Sequence, residues 1–277
     1  MIIDQHTELY GIIGNPIGHS LSPIMHNAAF SQKGLNAVFM AFETRDLDAC
    51  IKGIKGLGIK GMGVTIPYKA DVIPLLDEVD DLAGRIGAVN TIVNRGSRLV
   101  GYNTDGIGAL KALEERTELS GKSCIMIGAG GAARAIAYVL REKEIELTVA
   151  NRSIERGKSL CRDLGCRFMN LEGLLREKAD ILINTTPVGM APEYGSCLVT
   201  EQALRDGMVV MDIVYNPLET RLIAMARSRG CITINGLAMF VYQGAEQFRL
   251  WTCLEPPIKA MTKAVKKALS IESKKQV

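Results

Sequence analysis

The stretch Cys124-Ile125-Met126-Ile127-Gly128-Ala129-Gly130-Gly131-Ala132-Ala133-Arg134 decides how the chain is read. Its first four residues form an apolar run that reads as a buried strand. The glycines read as a tight turn, and the Ala- and Leu-rich run beyond them as a helix. Glycine at such a turn lets the backbone approach a pyrophosphate, whose charge then lies at the positive end of the helix. Ala133 takes the third position of the glycine fingerprint, where Ala substitutes for Gly. Residues 146–150 read as the next strand, so turn and helix sit inside a β-α-β unit, the context a nucleotide site requires. At the tip of that second strand stand Asn151-Arg152-Ser153, with Arg156 shortly after. A site for NAD usually has an acid here to accept from the ribose 2′-hydroxyl, whereas a guanidinium pairs a 2′-phosphate bidentately. The cofactor expected is NADP.

Outward from this stretch, short apolar runs alternate with helical patterns. Strands are expected at 124–127, 146–150, 181–185, 208–213 and 231–234, with helices between them. Upstream, residues 9–15, 37–43 and 61–67 read as buried strands, and 22–32 and 46–57 have helical periodicity. A hairpin is expected from 88–94 and 98–103, turning through Arg95-Gly96-Ser97 and placing Val89, Thr91 and Val93 on one face. A helical run at 106–116 leads to a polar joint at 117–122. Strands separated by helices imply parallel sheets with crossovers, and the reading is two α/β lobes.

Composition narrows the partners. Of 277 residues, 47% are hydrophobic and 23% charged, the balance of a globular protein rather than a disordered or fibrous one. With 33 Lys+Arg against 30 Asp+Glu the net charge is only +3, too weak a field to imply dependence on nucleic acid or an anionic membrane. The Lys-rich end reads as a solvated tail. No run approaches the roughly 18 apolar residues of a membrane span, and the first residues, with Asp4 and Glu8, do not read as a signal peptide. Seven cysteines without a CxxC pair and three histidines, His6, His19 and His26, offer no metal-ligand set, so no metal is expected. A reducing cytoplasm is the expected compartment.

The first lobe offers polar residues at element junctions. Ser20-Leu21-Ser22-Pro23 precedes a helix, and Ser22 reads as its N-cap with Pro23 at the first helical position; the same place suits a small carboxylate held by two hydroxyls at a positive helix end. Val64-Thr65-Ile66-Pro67-Tyr68-Lys69 reads as the end of a strand and the start of another helix. Asn103-Thr104-Asp105-Gly106 resembles an N-cap, and Asn90 a polar residue on the hairpin. Strand ends of this kind are where α/β proteins form ligand crevices.

Taken in order, these motifs resemble the shikimate dehydrogenase family: Ser20-Leu-Ser22-Pro, Val-Thr65-Ile-Pro-x-Lys69, Gly87-Ala-Val-Asn90-Thr, Gly101-Tyr-Asn-Thr-Asp105-Gly and Gly128-Ala-Gly-Gly. Asn151-Arg-Ser, Asn184-Thr-Thr-Pro-Val-Gly-Met, Tyr215-Asn-Pro and Gly236-Leu-x-Met-x-Val-Tyr-Gln243-Gly-Ala extend the match. The resemblance implies NADPH-dependent, reversible reduction of 3-dehydroshikimate to shikimate in chorismate and aromatic amino-acid biosynthesis. It implies a mixed or parallel α/β substrate domain at 1–104, completed by C-terminal helices at 237–277, and a Rossmann-type doubly wound NADP domain at 105–236. Ser20 and Ser22 would bind the carboxylate; Thr65, Asn90, Asp105 and Gln243 the ring hydroxyls, with Tyr215 and Lys69 nearby. Gly128, Ala129, Gly130, Gly131, Ala132, Asn151, Arg152, Ser153, Arg156, Ile213 and Gly236 would line the cofactor site.

Hydride delivery to a ketone develops negative charge on oxygen, which needs a proton close by. Lys69 and Asp105 are the expected pair that orients the reacting hydroxyl and shares its proton. Hinge closure near 103–106 and 235–237 is a further expectation. Four other readings compete: a dual quinate/shikimate dehydrogenase using NAD or NADP, a non-catalytic NADP and shikimate sensor, a nucleic-acid-binding regulator of the pathway, for which no recognition module is evident, and a methylenetetrahydrofolate dehydrogenase. Either a monomer or a homodimer is compatible with the sequence.

Overall fold

The computed structural model describes residues 3–96, 98–191 and 193–275; Ser97, in the expected hairpin turn, lies outside them. Two compact units form, divided after Thr104, with the chain returning to the first unit at Gln243.

The first unit is built on strands β1 (Glu8–Gly14), β2 (Ala37–Glu43), β3 (Gly61–Val64), β4 (Glu78–Val79), β5 (Thr91–Arg95) and β6 (Arg98–Tyr102), in the order β2-β1-β3-β5-β6-β4. Helices α1 (Ser22–Gln32), α2 (Leu47–Gly56) and α3 (Asp81–Ile86) connect them. The α2 start is fixed by Asp46, whose carboxylate accepts from the Ala49 N–H at 2.9 Å. β1, β2 and β3 are parallel, but β5 runs antiparallel to both β3 and β6, so the sheet is mixed. One apolar layer contains Ile13, Ile51, Ile54, Met62, Ile92 and Leu99. Burying each such side chain contributes about 1.5–3 kcal/mol.

Three local expectations are corrected. The hairpin strand starts at Thr91 rather than at residue 88: Asn90 N–H still donates to Tyr102 O on β6 at 3.0 Å, but Val89 N–H turns away and donates to Lys69 O at 2.7 Å. No helix follows Lys69. Its carbonyl, which would accept from Ile73 in a helix, is taken by Val89, and Pro74 has no N–H. Successive turns and a short 3-10 segment, Ile73–Leu75, stand there instead. Ser22 is not the N-cap of α1. Leu21 occupies that position without a side-chain cap, and Ser22 is the first helical residue.

The second unit holds β7 (Ser123–Ile127), β8 (Glu146–Ala150), β9 (Arg167–Met169), β10 (Ile181–Asn184), β11 (Val209–Asp212) and β12 (Ile232–Ile234). Its helices are α4 (Asp105–Glu114), α5 (Gly131–Arg141), α6 (Ile154–Leu164) and α7 (Arg221–Ser228). All pairings are parallel in the order β12-β11-β10-β7-β8-β9. That is the doubly wound dinucleotide order, with its switch point between β7 and β10. The sheet is apolar on both faces, as a covered parallel sheet must be: Cys124, Met126, Ile181 and Ile183 lie in one layer, Ile125, Ile127, Leu182 and Val210 in the other. Helix α8 (Gly236–Thr252) begins in this unit and, from Gln243, belongs to the first. There Trp251 lies against Gly61 so closely that a Cβ would collide with the indole, and its Nε1 donates to Ile92 O at 2.9 Å. Helix α9 (Ile258–Lys275) packs on α1.

Candidate active site

In the first unit, hydrogen bonds tie together the chain segments at one end of the mixed sheet. Beyond β1 and β3, Thr65 N–H donates to Ile13 O at 3.0 Å and Asn15 N–H to Ile66 O at 3.1 Å. Val64 N–H donates to Asn90 O at 2.8 Å, and the Lys69 carbonyl receives Val89 N–H. Because β5 runs back against β3 and β6 returns against β5, the residue before Thr91 and those after Tyr102 come to this same end. Thr65, Lys69, Asn90 and Thr104 are thereby fixed by backbone near one another. The loop from β1 into α1 starts here too, carries Ser20 and leads into Ser22, the first residue of α1. Ser22 N–H donates to Ser20 Oγ at 3.3 Å, so the two serines form one local turn. The first turn of α1 contains no acidic residue, which leaves its end suited to an anion.

Asn90 is buried and tightly held. Its Nδ2 donates to Thr104 Oγ1 at 2.9 Å, and its Oδ1 accepts from Thr104 N–H at 2.8 Å and Thr91 Oγ1 at 2.7 Å. Gln247 Nε2 in turn donates to Asn90 O at 3.1 Å and Thr91 Oγ1 at 3.0 Å. Gln243, buried one helical turn earlier on α8, lies on the same helix face as Gln247. His26 closes this network from α1, with Nε2 3.2 Å from Gln247 Oε1. Burial holds the imidazole far below its ordinary range, at about 3, against the opposing effect of the Gln247 hydrogen bond.

In the second unit the glycine turn lies at the switch point. Gly128 has φ +119°, and a Cβ there would meet the Thr185 hydroxyl; Thr185 itself is fixed by donating to Ile127 O at 2.7 Å. Gly130 and Gly131 differ: a Cβ built on either meets nothing within 4 Å. The protein's own packing does not demand glycine there. The open space lies over the N-terminus of α5, whose first turn carries no acid, and so fits a phosphate group. Ala132 is next on that turn, and Ala133 is buried against the sheet. Beyond β8, Asn151 Nδ2 donates to Ser153 O at 2.9 Å, and Ser153 caps α6 by accepting Arg156 N–H at 3.5 Å. Arg152 and Arg156 are exposed around this capped turn. These residues fit a 2′-phosphorylated dinucleotide.

The rest of the second unit's set lies on the other half of the sheet. Ile213 N–H donates to Asn184 O at 3.0 Å, and Gly236 packs directly on the Ile213–Val214 backbone. Tyr215 stacks on Phe240 at 4.6 Å. Asp105 is buried in the first turn of α4, where a carboxylate is favoured by the helix end. One residue the sequence reading passed over organises this region. Asp212, fully buried, accepts from Thr220 Oγ1 at 2.6 Å, Asn184 Nδ2 at 3.0 Å and Val214 N–H at 3.1 Å. Burial pushes its carboxyl above the ordinary range while these three bonds pull it down. The available signal was an acid closing the apolar run Val209–Asp212. Among the described residues no group of three or more His, Cys, Asp or Glu is placed to hold a metal ion, and no helix is long and apolar enough to cross a membrane.

Fold and site together define a class: a pyridine-nucleotide-binding α/β oxidoreductase with a separate unit rich in hydroxyl, amide and ammonium groups. The family model described as the shikimate dehydrogenase substrate binding domain matches residues 12–92. Models for shikimate / quinate 5-dehydrogenase and for the shikimate 5′-dehydrogenase C-terminal domain match 110–214 and 236–266. The shikimate dehydrogenase (NADP(+)) of Pyrococcus furiosus is 52% identical over 263 residues, 94% of this chain and 96% of that one. A crystal structure of shikimate dehydrogenase in complex with NADP+ superposes with a TM-score of 0.94 at 44% identity, covering 97% and 98% of the two chains. The Thermus thermophilus enzyme in complex with NADP(H) and shikimate gives 0.89 at 36% identity, covering 94% and 99%. The chain belongs to the shikimate dehydrogenase family, and the two-lobed α/β architecture expected from its motifs is the one observed.

Proposed function

We propose that the chain catalyses the reversible, NADP-dependent reduction of 3-dehydroshikimate to shikimate, in chorismate and aromatic amino-acid biosynthesis. The observation that carries this reading is the gathering of Thr65, Lys69 and Asn90, with the Ser20–Ser22 turn, at one end of the first sheet in a chain of this family. Residues 1–104 with 237–277 serve the substrate and 105–236 the cofactor. Ser20 and Ser22, beside the start of α1, hold the carboxylate. Thr65, Asn90, Asp105 and Gln243 hold ring hydroxyls, with Tyr215 alongside.

The N–H groups from Gly128 to Ala132 hold the pyrophosphate. Arg152 and Arg156 hold the 2′-phosphate on the turn that Asn151 and Ser153 keep rigid, and Ile213 and Gly236 shape the far side of the cofactor site. When bound, NADPH supplies the hydride. Lys69 gives its proton to the oxygen on which charge develops and takes it back in the reverse direction, while Asp105 orients the reacting hydroxyl. The small net charge of +3 supports a small-molecule partner rather than nucleic acid or membrane, and seven free thiols support a reducing cytoplasm. The working unit is a monomer or a homodimer.

The test is oxidation of shikimate and of quinate, each with NADP and with NAD, followed at 340 nm. Turnover of shikimate with NADP is expected, with Arg152→Ala raising KM for NADP about tenfold or more through the lost charged hydrogen bonds. Comparable rates with quinate or NAD would transfer the chain to the dual-specificity reading. NADPH binding without any turnover would make it a sensor.

A further inference from the structure

We infer that Gln247 is a positioning residue for substrate recognition, fixing Asn90, through Thr91, as a hydrogen-bond donor to its ligand. The inference rests on the reading of Asn90 as a substrate-holding residue. It follows from the direction in which protons must run along the buried network. Gln247 Nε2 faces Asn90 O at 3.1 Å, and a backbone carbonyl only accepts, so the amide cannot be turned the other way. Gln247 Oε1 therefore faces His26 Nε2 at 3.2 Å and requires a donor there. Held neutral by burial, His26 carries its one proton on Nε2, which leaves Nδ1 a bare acceptor. Nδ1 is indeed buried with no partner among the described residues, in a ring stacked on Phe39 at 4.5 Å and tilted against Trp251 at 5.1 Å.

The direction continues through Thr91. Its Oγ1 receives a proton from Gln247 Nε2 at 3.0 Å and passes its own to Asn90 Oδ1 at 2.7 Å. Thr104 N–H reaches the same Oδ1 at 2.8 Å. Thr104 Oγ1 is a third group within reach of that oxygen, at 3.2 Å; Oδ1 is thus turned into the network, and what Asn90 offers a ligand is Nδ2. The ligand atom at Asn90 is then an acceptor, a hydroxyl or ketone oxygen. An ammonium in its place would face a donor and be rejected, because each unpaired partner in a buried site carries a desolvation cost. Gln247 and Thr91 are buried and bonded within this network, and His26 supports them from one step further away.

The experiment uses the full chain with Gln247→Leu and Thr91→Val, each alone and combined with Asn90→Ala, and His26→Gln as the conservative variant. Steady-state assays with shikimate and NADP are accompanied by thermal melts. Both single variants are expected to raise KM for shikimate about tenfold, the loss of roughly one net hydrogen bond, with KM for NADP within twofold of the unchanged chain. Neither adds a further rise in the Asn90→Ala background, since their effect passes through Asn90. His26→Gln, which keeps a donor toward Oε1, retains a KM for shikimate close to the original. The inference is overturned if both variants lower the melting temperature while leaving that KM unchanged, or if their effects add fully to Asn90→Ala. Absence of shikimate turnover by the unchanged chain would overturn the reading of the site itself, and this inference with it.

Discussion

Lowering the pH from 7.5 to 5 should weaken the first unit through a single buried ring. His26 titrates at about 3 in the folded chain against 6.5 for the ordinary group, because burial disfavours its charged form. The folded value is the lower one, so the unfolded chain binds the extra proton between these limits. Stability is therefore intact above about pH 6.5 and falls as pH drops toward 3. Each pH unit inside the window corresponds to 1.36 kcal/mol, which gives a loss of about 2 kcal/mol at pH 5. Asp4 and Asp77, held low chiefly by the Asn36 amide and the Leu99 N–H, contribute a loss only at more acid pH. The assay is urea unfolding followed by Trp251, the only tryptophan, whose ring lies 5.1 Å from His26. A loss of that size moves the midpoint by roughly 1 M. In His26→Gln the same pH step should leave the midpoint nearly unchanged. Equal acid sensitivity of the two proteins would refute the assignment to His26.

Two further outcomes concern the second unit. Asp212→Ala strands the donors of Thr220, Asn184 and Val214 and should lower stability by roughly 3 kcal/mol or more; a calorimetric loss under 1 kcal/mol would contradict the network. Gly128→Ala puts a Cβ at φ +119° against Thr185 and should weaken NADPH binding at least about tenfold, with a strain of about 1–3 kcal/mol; an unchanged isotherm in titration calorimetry would show that the turn tolerates the side chain.

What the sequence makes legible is local. The run from Cys124 to Arg134 announces strand, turn and helix because the apolar run, the glycines and the helix formers are contiguous. The expectation of NADP comes from Arg152 for the same reason, as a basic side chain at a known tip of a known motif. The helix expected after Lys69 fails because its carbonyl is taken by Val89, a residue twenty positions away whose pairing no periodicity records. The antiparallel insertion of β5 is equally nonlocal. His26 and Gln247, separated by 221 residues, leave no joint trace in the sequence, and Asp212 reads as an ordinary acid until its three donors are seen. Ser22 shows the opposite failure, a strong local cap signal that the backbone shifts by one residue. The polar residues of the first unit are visible individually, and only the sheet order shows which of them share an end.

The hairpin of reversed β5 and returning β6 gives the first unit's sheet one end that carries the proposed site and one that does not. Asn90 and Thr104 flank the hairpin at its open end, while Gly96 sits at its turn, a five-residue strand away, or about 17 Å at the usual rise. Chain length added at that turn lies beyond reach of the chemistry, whereas a single residue added beside Thr91 would slip the register and turn every side chain of β5 over. The same hairpin is thus permissive at one extremity and intolerant at the other, which marks its turn as the place where a lineage, or an engineer, can attach new sequence to this unit without touching the residues proposed to act.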